Sequence, residues 1–149
     1  MESKVKETNI EEKIAYLQII EGAIDRMGGN SAILKGFAAA VLTGVSAFAS
    51  FTDVTVFVLV LALLPVLLFG YLDAKYLQVE KKYRVLYEQV RLNQKGIDYS
   101  MDTRFSKDVL KAENATLWNA TRSWSVWPFY GLLILIGVAL VALKCNGCI

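Results

Sequence analysis

Residues 54–91 read VTVFVLVLALLPVLLFGYLDAKYLQVEKKYRVLYEQVR. The first half is apolar and the second half charged, yet no Gly-Pro pair and no Ser/Asn cluster separates them. A single helix that begins in hydrocarbon and continues into water accounts for both halves. Its apolar part, 54–72, is close to the roughly 17–25 residues that a helix needs to cross a bilayer. Beyond it Leu72, Tyr76, Val79, Tyr83, Leu86 and Val90 recur at alternating spacings of four and three. This is a heptad seam, with Glu80–Arg84 and Arg84–Glu88 as i,i+4 pairs on its outer side. The spacing predicts a stalk over 73–95 that projects roughly 35 Å from the membrane. The seam suits self-association and packing against residues 10–27 equally well.

The rest of the chain fits the same class. Of 149 residues, 55% are hydrophobic, against about 45–50% in an ordinary soluble domain. They are concentrated in three blocks, at about 33–51, 54–72 and 126–143. The N-terminal stretch MESKVKETNIEEK mixes both charges and lacks the early apolar core of a secretory signal. Sixteen Lys and Arg against fourteen Asp and Glu give no excess to attract nucleic acid, and no direct nucleic-acid binding is expected. Five basic residues (Lys4, Lys6, Lys13, Arg26 and Lys35) precede or open the first block, ten lie from Lys75 to Arg122, and only Lys144 follows the third. Cytoplasmic segments carry the Lys/Arg excess. The expected topology is therefore multi-pass in the inner membrane, with the N-terminus and residues 73–125 cytoplasmic and a tight external turn at Thr52-Asp53.

Four domains follow from the pattern. Residues 1–29 form an N-terminal cytosolic amphipathic helix, with a capping box at Thr8/Asn9 and Glu11/Glu12. Ile10, Ile14, Leu17, Ile20, Ile24 and Met27 make its apolar stripe. It is expected to stop at Gly28-Gly29, with Asn30 or Ser31 capping the next helix. Residues 30–72 form the transmembrane hairpin. Gly36, Ala40 and Gly44 line one face of its first span at four-residue spacing, which allows backbones to approach closely in lipid. The partner is either span two or another subunit. Lys35 can snorkel to the inner surface, and Pro65 in span two marks a kink or hinge. Residues 73–125 form a cytosolic helical region: the stalk, the loop IDYSMDTRF, and a helix over 107–121 capped by Ser106. Asp98 and Asp102 in that loop read as turn or cap residues. Residues 126–149 form a third transmembrane helix and a short tail, with Trp124, Trp127 and Tyr130 as interfacial anchors. A re-entrant element is the alternative.

Chemistry-bearing sets are sparse. The chain has no histidine, and its two cysteines, Cys145 and Cys148, lie at the C-terminus as C-x-x-C. An external tail would let them form a disulfide; an internal one would keep them reduced, lipidated or metal-bound. No nucleophile has an evident base, and no metal set or phosphate loop is evident. The expectation is a non-enzyme without cofactors, metal or catalytic residues. Asp73, repeated in an oligomer, would form an acidic ring at the cytosolic mouth of a pore.

The segments IIEGAIDRMGGNSAILKG, LPVLLFGYLDAKYLQVEKKYRVLYEQVR, IDYSMDTRF and WSVWPFYG together resemble a family of small bacterial defence-associated transmembrane proteins. They are similar to the SLATT-type membrane effectors and to the membrane accessory proteins of RNA-targeting CRISPR and RADAR-type systems. The resemblance covers about residues 10–130. It implies membrane association, antiphage defence and pore formation, and it brings no catalytic residues. SLATT proteins have two spans, so a third span here is a departure. Two functions follow as expectations. One is an oligomeric membrane effector that perturbs membrane integrity or ion gradients when activated. The alternative is a membrane anchor or adaptor that recruits a soluble defence protein through its cytosolic helices. The expected partners are the lipid bilayer, further copies of the chain, and such a soluble protein.

Overall fold

A computed structural model describes residues 2–51 and 55–146, with side chains described for 9–49 and 55–146. The described residues form helices and no strand: α1 (Glu2–Phe51), α2 (Val56–Leu61), α3 (Leu63–Arg91), α4 (Lys107–Ala112), α5 (Leu117–Thr121) and α6 (Trp127–Cys145). Among them, three helical stretches are long and apolar enough to cross a membrane: Asn9–Ala49, Val56–Arg91 and Trp127–Cys145. The chain is an all-α membrane protein, a helical hairpin whose long arms extend beyond the bilayer with a third span packed on it. The turn expected at Thr52-Asp53 lies outside the described residues.

The largest departure from the sequence reading is α1. It starts at Glu2, ahead of the capping box expected at Thr8/Asn9, and runs through Gly28-Gly29 and Asn30 without a break. A glycine inside a helix costs about 0.5–1 kcal/mol relative to alanine, a local penalty that tertiary packing overrides. Tyr16, Ile20 and Ala23 at one end, and Ala38 and Leu42 at the other, are all buried. Their spacings of three and four keep one face against α3 only if the helix continues between them. Gly28 lies on this face, where an added Cβ would stand 3.9 Å from the Glu80 Oε2. The stripe also starts later than expected, because Ile10 and Ile14 are exposed.

Pro65 acts one turn ahead of itself. It has no N–H to offer the Leu61 carbonyl four residues back, and the helix is interrupted between Leu61 and Leu63. Ala62 keeps right-handed helical angles (φ −65°, ψ −18°) and its N–H still reaches the Val58 carbonyl at 3.0 Å. The result is one span with a local interruption one turn before Pro65.

The stalk ends at Arg91, short of Gly96, through a Schellman motif centred on Asn93 (φ 56°). Its signature bonds are Gln94 N–H to Gln89 O at 2.8 Å and Asn93 N–H to Val90 O at 3.2 Å, which satisfy the last free carbonyls. A second Schellman motif at Asn114 (φ 53°) splits the helix expected over 107–121 into α4 and α5. There Ala115 N–H donates to Leu110 O at 2.8 Å, and Asn114 N–H to Lys111 O at 3.2 Å. Ser106 caps α4 as expected, and Thr116 caps α5 by accepting from Asn119 N–H. The break lets the chain turn so that Ala115 and Ala120 are buried, and Lys81 Nζ holds the turn by donating to Asn114 O at 3.2 Å.

Two apolar cores result. Ala38, Leu42, Val66, Ala74, Val126 and Tyr130 form one among the spans; Tyr16, Ile20, Leu86 and Val90 form the other between the extramembrane arms. The third span packs through Gly137, where an added Cβ would collide with Leu63. At Gly29, by contrast, an added Cβ meets nothing within 4 Å. Gly29→Ala should therefore raise stability by about 0.5–1 kcal/mol, measurable as a higher unfolding midpoint in detergent. An unchanged or lowered midpoint would mean that the helix does break there.

Candidate functional site

The heptad residues divide when placed in the fold. Tyr83, Leu86 and Val90 pack within the chain against Tyr16 and Ile20, so the lower seam is filled by α1. Leu72, Tyr76 and Val79 are only half-buried. At their level the fully enclosed residues are Asp73 and Ala74, with Glu80 close to it. A straight helix drifts against a seven-residue repeat, and the inward face turns from the apolar row toward these neighbours. Glu80 is accordingly not an outer-face residue. It keeps its bond to Arg84 (Nη2–Oε1 2.7 Å) while turned toward α1. Glu88 pairs with Arg91 rather than with Arg84.

Partway along the helix bundle, α1, α3 and α6 come together around an ionic centre. Asp73 is fully buried, and Lys35 Nζ stands 2.7 Å from its Oδ2. The same ammonium donates to Ser31 Oγ at 2.7 Å, so Lys35 turns inward where snorkelling was expected. The approach to Asp73 is an ion pair without a well-directed hydrogen bond, which leaves both carboxylate oxygens without one. The Tyr130 hydroxyl is turned toward this carboxylate but completes no hydrogen bond. Tyr130, expected as an interfacial anchor, is only 6% exposed. Its ring lies on the backbone of Gly70, where an added Cβ would stand 3.2 Å from ring carbons. Asp73 thus faces the interior of one chain, away from any surface on which a ring of carboxylates would form.

The other expected site residues remain outside. Gly36, Ala40 and Gly44 are exposed, on the side of α1 opposite Ala38 and Leu42, and Cβ atoms added at Gly36 and Gly44 meet nothing within 4 Å. Neither α3 nor α6 uses this face. Trp124 and Trp127 are 89% and 67% exposed, and Trp118, unremarked in the sequence reading, joins them at 68%. Arg122 stacks over the Trp118 ring at 5.8 Å. Cys145 is exposed at the end of α6, and Cys148 lies outside the described residues.

The residue that sequence reasoning missed is Tyr16. Fully buried, it donates to Ser100 O at 2.6 Å and to Asp98 Oδ1 at 3.1 Å, and its ring meets Tyr99 at 5.4 Å. Tyr99 sits at φ 52°, an unfavourable conformation for an aromatic residue, held by these contacts. Lys13 donates to Arg91 O and Asn93 Oδ1 at 2.8 and 2.7 Å. The Tyr16 bonds clasp the loop 97–105 onto α1, and the Lys13 bonds tie the end of the stalk to the same helix. Burial, then the bond to Asp98, pushes the Tyr16 phenol up to about 12. The Ser100 N–H, followed by Tyr16 and Lys95, holds the Asp98 carboxyl below its ordinary range. Arg104 takes Asp102 down to about 2. The only early signal for the clasp was an aromatic residue one position off the apolar stripe.

Comparison with family models, with curated proteins and with solved structures finds no match.

Two outcomes test this geometry. Lys35→Met leaves a buried carboxylate uncompensated and should destabilise the protein by about 3–5 kcal/mol. Lys35→Met with Asp73→Leu should recover most of that loss, as read by unfolding midpoints in detergent. Equal losses in the single and double variants would mean that the pair does not couple α1 to α3. The second outcome concerns the clasp. A carboxylate with a lowered folded value stabilises above its unfolded value of about 3.9 and ceases to as pH falls through the folded one. Carboxyl titration by carbon-13 NMR should place Asp98 and Asp102 below that reference, and Tyr16→Phe should raise the Asp98 midpoint alone. An unmoved midpoint would sever Tyr16 from the loop.

Proposed function

We propose that this chain is a homo-oligomeric membrane effector in which copies join through the Gly36, Ala40 and Gly44 face of α1. On activation the assembly perturbs membrane integrity or ion gradients, without catalytic chemistry. The observation that carries the reading is that face: a row of small residues on a spanning helix, exposed and unused within the chain. Lipid tails solvate apolar side chains as well as another helix does, so a small-residue face gains most where a second backbone can approach. Any ion path would lie between copies, because Asp73 is spent on Lys35 inside each one. Pro65, which leaves the Leu61 carbonyl without its helical donor, is the natural point for the second span to flex. The setting, antiphage defence at a bacterial inner membrane, rests on the resemblance to SLATT-type effectors. The orientation, with residues 1–29 and 73–125 cytoplasmic, rests on the distribution of Lys and Arg.

A second reading has one observation in its favour. Ile10 and Ile14 are 55% and 49% exposed on the same side of the extramembrane part of α1, as an adaptor that recruits a soluble defence protein would need.

The wild type should run as an oligomer in nanodiscs and depolarise cells on overexpression. Gly36→Leu with Gly44→Leu should abolish both, at unchanged helix content. A monomeric wild type that leaves a potential-sensitive dye undisturbed sinks the effector reading. An adaptor would instead lose its captured partner in Ile10→Glu with Ile14→Glu, while the membrane potential stays the same.

A further inference from the structure

Two cavities adjoin at the start of α6. The outer is an open groove of about 980 Å³ whose lining includes Trp118, Arg122, Trp124 and Trp127. The inner is an apolar slot of about 350 Å³ between α3 and α6, lined by Leu67, Gly70, Gly131 and Ile134 among others. Thr121 and Trp127 line both, so the groove and the slot lie side by side.

From this arrangement we propose that the two cavities are one binding site for an anionic glycerophospholipid of the bilayer. The headgroup rests in the groove and an acyl chain lies in the slot.

The chemistry of the walls selects an amphiphile. The groove holds a cation: Arg122 has no carboxylate partner among the described residues and is held in place by the Trp118 ring. A planar guanidinium fixed in this way meets phosphate through paired N–H donors. Three indoles exposed by 67–89% have an apolar body and one polar N–H each, which suits the boundary between acyl chains and headgroups. The slot asks for the opposite chemistry. It is walled mainly by carbon, and Gly131 presents open space where a Cβ would stand. A peptide inserted there would lose hydrogen bonds to its backbone, whereas an acyl chain has none to lose. The neighbouring surface of α6 is apolar as well, with Leu132 and Leu135 56% and 67% exposed. The site requires only that α6 span the membrane and does not depend on the effector reading.

Native mass spectrometry of the full chain, exchanged into phosphatidylglycerol and phosphatidylcholine of equal chain length, tests the site. Wild type should retain phosphatidylglycerol over phosphatidylcholine by about fivefold, the discrimination that one basic residue near an anionic surface supports. Arg122→Gln should retain lipid but lose the preference. Gly131→Leu should lose both lipids, with helix content by circular dichroism unchanged. A wild type that retains no phospholipid overturns the proposal, as do variants that both keep the wild-type pattern. Brominated-chain phosphatidylglycerol gives a second reading that needs no slot variant. Quenching of the Trp127 component, isolated by difference from Trp127→Phe, should saturate at low brominated fraction. A linear rise, as for bulk lipid, overturns the site.

Discussion

A carboxylate buried inside a helix bundle must find a counter-charge within the protein, and Asp73 finds Lys35 at 2.7 Å. This one requirement fixes much else. It sets the axial register of α1 against α3, since neither helix can slide a turn without stranding a charge in low dielectric. Once the register is set, Ala38 and Leu42 meet Val66 on the membrane side of the pair. Tyr16 and Ile20 meet Leu86 and Val90 on the other. Beside this centre the Tyr130 ring rests on Gly70, and the third span packs there.

The two halves of the hairpin are held by different physics. Among the spans, close approach at Gly70 and Gly137 replaces side-chain bulk, as expected where apolar burial from lipid gains little. Between the extramembrane arms, water supplies the usual hydrophobic drive, and a polar clasp closes the end. Tyr16 and Lys13 reach across to Ser100, Asp98, Asn93 and the carbonyl of Arg91. The asymmetry has a functional side. Among the surfaces left open are the small-residue face of α1 and the indole groove at the start of α6.

Legibility varied with the range of the interaction. The membrane class, the three spans and the Ser106 cap were readable, because each depends on residues a few positions apart. Gly28-Gly29 misled, since two glycines carry a local stop signal while the face that runs from Tyr16 to Leu42 carries a stronger long-range one. Asn93 lies in the stretch 93–96 where the stalk's end was expected, whereas the stop at Asn114 was not foreseen; asparagine enters the left-handed region less often than glycine, so that local signal was weak. The candidate site divided in the same way. Trp124 and Trp127 proved exposed, as interfacial anchors would be. Tyr130, of the same residue class and three positions on, turned inward because Gly70 left room for its ring.

By itself the sequence determined that this chain lives in a membrane, which segments are apolar enough to cross it, and that span two continues unbroken into a charged stalk. Those properties follow from hydropathy and period, which are summed along the chain. Only the tertiary structure decided who occupies the stalk's seam, that α1 is one helix, and that Asp73 and Lys35 neutralise each other within one chain. The reason is that partners 38 residues apart are chosen by geometry across a helix pair, and spacing along the sequence carries no record of that choice.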